Sequence, residues 1–410
     1  MNAKTWPTDY VYPTLSPKVE RFGPVLSVRP QTVVAIPVKD EADRLPLCLD
    51  ALAGQTGVPF EEVTILLLLN NCTDGTEEVV RQIAPLAPYR TEMHIVELTP
   101  DYANAGWARR LSMDAAADIV APGGVILTTD ADTIVDEDWI EQNRREISSG
   151  LDAVAGYVMA DPMELMELPE TILERGRMEW QYQQLVAELQ SRSDPEAHDP
   201  WPRHNQNCGA SAAVTLDAYR RIGGLPPIPV GEDRALFEMI RRIDGKIRHS
   251  LDVHVVTSAR TDGRAMGGLS DAIRLRGDPE HPCDDALEVA VSTFRRAVWR
   301  RELREIWETG RVEAEADLWA RKLGLSRDAY LAAAQHPYFG QFWAELEALS
   351  LKLEWRLVTG ALLKRELRRI RRLVAYRRAK DNARAAKAAA APAPSAAASD
   401  TPAAGKRAIG

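Results

Sequence analysis

The feature that most constrains this chain is a series of apolar strand-type runs, each followed by a helical pattern. The run VTILLLL (Val63–Leu69) is almost without polar residues, as expected of a strand buried on both faces of a parallel sheet. Similar runs occur at Thr32–Val38 and Met93–Leu98, and a helical pattern covers Ala105–Ile119. Strands that alternate with helices in this way predict an α/β fold with a parallel sheet and right-handed crossovers.

Composition limits the class of protein. The chain has 410 residues, of which 45% are hydrophobic and 27% charged, which is typical of a globular protein. It contains no apolar run near the ~20 residues that span a bilayer, and its first residues lack the apolar core of a signal peptide. The four cysteines show no metal-binding spacing. We therefore expect a soluble cytoplasmic protein.

A pair of carboxylates ends one of the strands. In the stretch GVILTTDADTIVDEDWI (Gly124–Ile140), the apolar run stops at Asp130 and Asp132. Residues i and i+2 of an extended chain point to the same side, so the two carboxylates can face one point. Two like charges there repel unless a cation lies between them, and oxygen ligands of this kind suit Mg²⁺ or Mn²⁺. The alternative is a pair of ordinary turn residues that cap the next helix.

Several motifs, in order, resemble family 2 glycosyltransferases of the GT-A fold. They span roughly residues 32–275, and their order is more specific than any one of them. The motifs are AIPVKDEADRLPLCLDAL, LNNCTDGT, TTDADT, NCGASAAVTLDAYRRIGGLP and VGEDRALFEMIRR. The resemblance implies a Rossmann-like, mostly parallel central sheet with flanking helices, plus a C-terminal helical extension.

This resemblance, together with the pattern of residues along the chain, suggests four segments. Residues 1–30 form an irregular N-terminal segment, and residues 31–280 form the GT-A glycosyltransferase domain. Residues 281–380 form a helical extension that ends in a basic amphipathic helix. Residues 381–410, rich in Ala and Pro, form a disordered tail.

The resemblance implies a metal-dependent transfer of a sugar from a nucleotide-diphosphate donor, a UDP- or GDP-sugar, to a hydroxyl acceptor. The divalent metal would be Mn²⁺ or Mg²⁺. The residues that match the donor-binding motifs are Pro37, Lys39, Glu41, Asn71, Asp74, Arg109 and Asp130. The residues expected at the metal are Asp130, Asp132 and His254. Each has an ordinary alternative as a turn residue, a helix-start acid, a solvated arginine or a packed histidine.

The motif VGED supplies the expected catalytic residues. By resemblance, Asp233 is the general base that removes the acceptor proton, Glu232 orients the acceptor, and the reaction inverts the anomeric configuration. Such a base must lie within hydrogen-bond reach of the hydroxyl. The plainer interpretation is that both acids complement the dipole of a helix N-terminus. The acceptor is expected to contact a loop set and one later arginine, namely His204, Asn207, Gly209 and Arg260.

The end of the chain is strongly basic. Between Lys364 and Lys387 there are eleven Lys and Arg residues and two acids, although the whole chain has a net charge of −9. An apolar stripe runs along the predicted helix 362–380, at Leu363, Leu367, Ile370 and Val374. The helix could contact the inner face of a membrane peripherally, dock on its own chain or mediate self-association. No nucleic-acid partner is expected, because no recognition module accompanies the basic run.

Two other functions stay open. A catalytically inactive GT-A scaffold could bind a partner or a membrane surface through the basic helix. A nucleotidyltransferase would be expected to carry a glycine-rich basic loop after the first strand, where this chain reads VKDEADRL. The sequence does not specify the sugar, the base or the acceptor.

Overall fold

The computed structural model describes residues 10–263, 267–284 and 286–389. Within them the strands are β1 (Lys18–Phe22), β2 (Thr32–Val38), β3 (Val63–Asn70), β4 (Arg90–Val96), β5 (Val125–Thr128), β6 (Thr133–Val135), β7 (Ala153–Ala160), β8 (Ala212–Thr215) and β9 (Ile247–Thr257). The helices are α1 (Leu45–Ala53), α2 (Thr76–Ile83), α3 (Ala105–Ile119), α4 (Trp139–Ser148), α5 (Pro162–Met166), α6 (Glu170–Ser193), α7 (Leu216–Arg221), α8 (Glu232–Arg242), α9 (Leu269–Leu275), α10 (Ala290–Glu308), α11 (Ala316–Leu323), α12 (Arg327–Ala333), α13 (Phe339–Leu349) and α14 (Gly360–Ala389).

The strands form one sheet in the order β1-β4-β3-β2-β5-β8-β7-β9-β6. The centre, β4-β3-β2-β5, is parallel. Strand β8 runs antiparallel to both β5 and β7, and β7 is parallel to β9. The chain order reverses between β2 and β5, and ligands of open α/β sheets bind beyond the carboxyl ends of strands at such a point.

The predicted α/β architecture with a central sheet, flanking helices and a helical C-terminal part is confirmed. Strand β2 and helix α3 have the predicted limits, because their apolar patterns and their ends are both local features. Strand β1 was missed in the segment that was expected to be irregular. Its sequence, KVERF, is short and polar because it pairs on one side only, antiparallel to β4 at the edge of the sheet.

Each face of the sheet is covered by its own layer of buried side chains. Helices α1, α2 and α4 pack on one face, where Trp139 is fully buried. Helices α3, α7 and α8 pack on the other, with Phe237 at the centre of that layer. Because both faces are buried, β3 is buried along its whole length. The helices thereby fix the strand ends that carry the polar residues of the site.

The C-terminal helices form two further apolar clusters. One joins α10, α11, α12 and α13, and the other packs α14 on α6. The stripe of Leu363, Leu367, Ile370 and Val374 lies in the second cluster, so of the predicted uses of this stripe the structure shows docking on its own chain. Helix α14 continues to Ala389, beyond the predicted end at 380, and residues 390–410 lie outside the described residues. No helix of the described chain combines the length and apolarity needed to cross a membrane.

Candidate active site

Two turns at the carboxyl ends of β2 and β3 form the first part of the site. Asp40 and Asn71 have φ angles of 51° and 49°, a region that Asp and Asn enter more readily than other residues with side chains. Asp40 accepts a hydrogen bond from the backbone N–H of Thr73 at 2.6 Å. Lys39 Nζ lies 2.9 Å from the Asp40 carboxylate and also donates to the carbonyl of Asn71. The turns therefore hold each other, with Lys39 at their junction.

Asp74 and Thr76 connect these turns to the start of the first helix. Asp74 accepts hydrogen bonds from the backbone N–H and the hydroxyl of Thr76, at 3.0 and 2.5 Å, and from the backbone N–H of Ala42 at 3.0 Å. The Thr76 hydroxyl in turn accepts from the backbone N–H of Glu41 at 3.0 Å. Pro37 is half-buried within β2. In this structure Asp74 acts as a turn-forming residue, and its contact with a nucleotide stays a prediction.

The two carboxylates after β5 each have an arginine partner. Arg109 Nη2 lies 2.5 Å from Asp130 Oδ1, and Arg260 Nη2 lies 3.0 Å from Asp132 Oδ2. Asp130 keeps 34% of its side chain exposed, and Asp132 keeps 17%. Burial and the neighbouring charge of Asp130 raise the pKa of Asp132 to about 6. Negative charge therefore remains in excess where the strand ends.

Arg109, on α3, connects the parts of the site. Its Nε donates to Glu232 at 3.1 Å, and its Nη1 donates to the Thr128 hydroxyl at 3.0 Å and to the Gly209 carbonyl at 3.2 Å. Although burial opposes the charged form, Asp130 and Glu232 raise the pKa of Arg109. The predicted contact of Arg109 with donor phosphates stays a prediction. Its guanidinium is buried and is already shared among acceptors of the protein.

Arg260, which was predicted to contact the acceptor, lies beside Glu41 and Asp132 at the ends of β2 and β5. It forms a two-pronged ion pair with Glu41, with one N···O distance of 2.9 Å, and it also contacts Asp132. The cause is the antiparallel pairing of β6 with β9, which sets Thr133 opposite Thr257. Residues that follow Thr257 are thus brought to Asp132.

Glu164, on α5, is a site residue that the sequence analysis missed. It accepts hydrogen bonds from the Ser258 hydroxyl at 2.9 Å and the Ala259 backbone N–H at 2.6 Å, and it pairs with Arg44 at 2.6 Å. It thereby fixes the segment that carries Arg260. The Asp-Pro pair before α5 signals a helix start, but no local pattern indicates a contact across 95 residues.

The two acidic residues at the start of α8 lie in different environments. Asp233 is half-buried, and its Oδ2 accepts a hydrogen bond from the backbone N–H of Gly209 at 3.0 Å. Glu232 is buried against Arg109, and burial raises the pKa of Glu232. A Cβ atom on Gly209 would lie 2.4 Å from Arg109 Cζ, so only glycine allows this approach. Glu232 therefore positions the site through Arg109, whereas Asp233 has only backbone hydrogen-bond partners among the described residues.

The donor set fits a divalent cation of the Mg²⁺ or Mn²⁺ type. Two arginines neutralise only part of a cluster of five carboxylates, which are Glu41, Asp130, Asp132, Glu232 and Asp233. Among the described residues no group of three or more His, Cys, Asp or Glu side chains is arranged to hold an ion. A pair of carboxylates is nevertheless sufficient for Mg²⁺, which usually keeps waters and phosphate oxygens as its other ligands.

His254 lies apart from the carboxylate pair, and its role as a metal ligand stays a prediction. Its Nδ1 lies 3.1 Å from Asp136 Oδ2, and its ring stacks on Tyr157 with a centroid distance of 6.0 Å. The register of β9 explains this position, because Val255 lies opposite Val135, beyond the part of β6 that adjoins Asp132.

The predicted acceptor residues of the loop before β8 are largely structural. His204 is buried, and its Nε2 lies 3.1 Å from the carbonyl oxygens of both Ala155 and Ser250. Asn207 Oδ1 lies 3.2 Å from Nε2 of His249, which is also buried. His204 therefore anchors the loop to β7 and β9, and its contact with the acceptor stays a prediction. Gly209 remains at the site through its contacts with Arg109 and Asp233.

Removal of the Arg109 guanidinium should strongly destabilise the protein. Arg109→Met leaves two carboxylates without their buried partner, and breaking a buried ion pair typically costs about 3–5 kcal/mol of unfolding free energy. Arg109→Lys should recover little, because one ammonium group cannot replace a planar fork with several acceptors. Urea unfolding measures both, with Arg145→Met at an exposed position of α4 as the control. A loss below about 1 kcal/mol for Arg109→Met would contradict this network.

Low pH should destabilise the protein, because the buried rings of His204 and His249 are neutral in the folded state. Burial lowers the pKa of His204 to about 3 and that of His249 to about 4. The unfolded rings take up a proton near pH 6.5 and the folded rings do not, so the free energy of unfolding should fall between pH 6.5 and 4. We expect a loss of about 2–3 kcal/mol per ring. In His204→Gln the slope of stability against pH should be smaller, and an unchanged slope would show that His204 is not held neutral.

Comparison with known proteins bears on this geometry. Residues 33–201 match the model of the family described as Glycosyl transferase family 2. Glycosyltransferase AglE of Haloferax volcanii is 29% identical over 133 residues, which cover 32% of this chain and 40% of AglE. The match thus spans less than half the length of that relative.

Two solved structures are also similar to the chain. The mannosyltransferase PcManGT from Pyrobaculum calidifontis, in complex with GDP-Man and Mn²⁺, has a TM-score of 0.42 and 18% identity, with 80% of this chain and 88% of that chain covered. S. aureus TarS 1-349, in complex with UDP-GlcNAc, has a TM-score of 0.43 and 14% identity, with coverages of 77% and 90%.

The family match covers both strand-end turns, Arg109 and the carboxylate pair after β5. It begins within β2 and extends past the end of α6. The predicted resemblance is thus confirmed, since residues 33–201 of this chain match the family 2 glycosyltransferase model.

Proposed function

We propose that the protein transfers a sugar from a nucleoside diphosphate donor to a hydroxyl group, with a divalent metal ion. The observation that carries this proposal is the connection between the carboxylate pair after β5 and the acidic pair of α8. Arg109 contacts Asp130 and Glu232 directly, and Gly209 contacts both Arg109 and Asp233. A candidate metal-binding pair and a candidate base are thus connected by hydrogen bonds at the switch point of the sheet.

The donor side consists of the ends of β2, β3 and β5. Asp130 and Asp132 would hold the ion, which as a Lewis acid stabilises charge on the departing nucleoside diphosphate. Lys39 lies at the junction of the two turns, with part of its side chain exposed, and can meet a phosphate by charge. Asn71 and Asp74 shape the turn on which the nucleoside would lie.

Arg260 supports the donor proposal by its position. It is shared between Glu41 and Asp132, so its charge stands next to the place where a diphosphate would approach the ion. Guanidinium groups match phosphate oxygens in geometry and charge. We assign Arg260 to the donor phosphates.

The acceptor side depends on Asp233. A carboxylate can take the proton of the attacking hydroxyl if it lies within hydrogen-bond reach in the bound complex. One Asp233 oxygen is oriented by the Gly209 backbone N–H, which sets the direction of the carboxyl group. Attack assisted by a base on the face opposite the leaving group inverts the anomeric centre, and inversion is part of the proposal.

The outward face of α14 supports a contact with an anionic membrane surface. Its apolar stripe is already buried within the chain, whereas Arg368, Arg371 and Arg372 are exposed. Each basic residue near such a surface contributes about 1 kcal/mol. The buried stripe leaves less apolar surface on α14 for self-association, so we favour the membrane contact.

Nucleotide binding should require metal and Asp132. We expect one of UDP, GDP, CDP and dTDP to raise the melting temperature with Mn²⁺ or Mg²⁺ but not with EDTA. At ~100 times its dissociation constant a ligand stabilises the folded state by about 2.7 kcal/mol. Asp132→Asn should abolish the shift, whereas Asp136→Asn, at a residue that contacts His254 instead, should keep it. If folded protein shows no shift with any nucleotide, the inactive scaffold is the better description.

Asp233 should be needed for transfer but not for donor binding. Asp233→Asn keeps an oxygen for the Gly209 N–H but removes the basic carboxylate, so kcat should fall about 10²–10⁴-fold. The nucleotide-dependent melting shift should persist, which separates catalysis from folding and donor binding. Asp217→Asn, at a position that is 79% exposed, is the matched control. Transfer is measured as release of nucleoside diphosphate, and a kcat within about tenfold of the wild type would exclude Asp233 as the base.

A further inference from the structure

A cavity lies away from the candidate active site, between α6, α10, α14 and the loop that follows α6. Its volume is about 590 Å³, within the range of small-molecule sites. Four arginines line it, which are Arg192, Arg301, Arg377 and Arg384, and Trp201 forms part of its wall.

Arg377 is the most unusual of these residues. It follows Leu367, Ile370 and Val374 at helical spacing, so it occupies the next position of the buried stripe of α14. Its exposure is 2%. One Nη atom donates to the backbone carbonyl of Arg192, and the Nε atom is buried with no hydrogen-bond partner in the described chain. No carboxylate is paired with this buried guanidinium among the described residues.

The acids around the cavity are already engaged by other arginines. Glu196 pairs with Arg300 and Arg304, at 2.9 and 3.1 Å. Asp381 pairs with Arg192 at 3.1 Å. Asp381 acts on the charge of Arg377 only from a distance, because its carboxylate is ion-paired with Arg192, and neither acid of the cavity forms an ion pair with Arg377 among the described residues.

Arg301 and Arg384 add to this excess of positive charge. The Nε of Arg301 is also buried without a hydrogen-bond partner, and its nearest carboxylate is that of Glu305 at 3.5 Å. Burial lowers the pKa of Arg377; the charge of Asp381 opposes this effect, and the charges of Arg301 and Arg384 add to it. A buried charge that lacks hydrogen-bond acceptors is costly, and Arg377 and Arg301, which both line the cavity, each have an Nε–H without a hydrogen-bond partner among the described residues.

We propose that this cavity binds a phosphate group, with Arg377 and Arg301 as its main contacts and Arg384 at its mouth. Planar guanidinium forks suit phosphate oxygens. The cavity is larger than one phosphate and has an aromatic side chain in its wall, so the phosphate belongs to a larger molecule. That molecule is a soluble phosphorylated compound or a phospholipid whose headgroup enters from the surface next to α14. The site is separate from the proposed donor site and does not depend on it.

The test compares three variants of the full chain. Arg377→Met removes the buried charge and keeps an unbranched side chain. Arg384→Gln, at an exposed residue of the mouth, serves if Arg377→Met does not fold. Arg368→Gln is the matched control, since it removes the same charge from the same helix nine residues earlier, roughly on the opposite side. Because Arg368 lies on the face proposed to contact a membrane, this variant measures how much vesicle binding depends on the general charge of α14 rather than on the cavity.

Thermal unfolding with inorganic phosphate and pyrophosphate, against chloride of equal ionic strength, tests whether the cavity binds a soluble phosphorylated compound. Wild type and Arg368→Gln should be stabilised by these anions. Arg377→Met should lose the shift, and Arg384→Gln should bind with an affinity reduced at least ~10-fold. Without phosphate, Arg377→Met should melt no lower than wild type, because a buried unpaired charge has been removed. The melting shift with nucleotide and metal should be the same in all variants.

Flotation with vesicles of phosphatidylcholine, with and without phosphatidic acid, tests whether the cavity binds a phospholipid headgroup. Binding that needs phosphatidic acid and falls more in Arg377→Met than in Arg368→Gln assigns the site to a lipid headgroup. Stabilisation by the soluble anions without such binding assigns it to a soluble compound. The proposal is overturned if neither phosphate nor pyrophosphate stabilises the protein and vesicles do not bind it. It is also overturned if Arg377→Met and Arg368→Gln give the same results in thermal unfolding and in flotation.

Discussion

The buried guanidinium of Arg109 is the interaction on which the rest of the site depends. It joins α3 to β5 through Asp130, to α8 through Glu232 and to the segment before β8 through Gly209. A carboxylate as buried as Glu232 is stable in a protein only when it is paired and hydrogen-bonded. The acidic start of α8 can therefore lie against the sheet only because Arg109 is there. The positions of Asp130 and Asp233 follow from the same side chain.

Sheet order explains why these residues meet at one place. Strands β2 and β5 are neighbours although they are far apart in sequence, and the chain turns in opposite directions from them. The turn after β2 carries Glu41, and the turn after β5 carries Asp132. Arg260 then closes the gap between them as the chain leaves β9. Because two arginines oppose five carboxylates, the ligand-free site keeps an excess of negative charge. A divalent ion and a diphosphate together bring both signs of charge to this site.

The sequence was sufficient for the features that depend on local pattern. The limits of β2 and α3, the two carboxylates at the end of β5 and the acidic start of α8 were all predicted from neighbouring residues. The roles of Arg109 and Glu164 were not, since they depend on contacts across about a hundred residues. His254 lies apart from the carboxylate pair, a position that the sequence did not indicate, because three extra residues of β9 separate its pairing with Tyr157 from that of Ser250 with Gly156. His204 has the composition of a loop residue, and only the packing of β7 against β9 shows that it is buried.

Two buried arginines of this chain differ in the partners of their guanidinium groups and therefore in their proposed roles. Arg109 and Arg377 are both almost inaccessible to solvent. Arg109 has carboxylate and neutral acceptors for all its nitrogen atoms, and so its charge is balanced within the protein. Arg377 has one backbone acceptor and an Nε without a partner, and it borders a cavity. Burial costs both residues the hydration of a charge. In Arg109 that cost is offset by two paired carboxylates. In Arg377 it is opposed by one backbone carbonyl and by the charge of Asp381, which pairs with Arg192, so that a bound anion would supply the ionic partner that Arg377 lacks within the described chain.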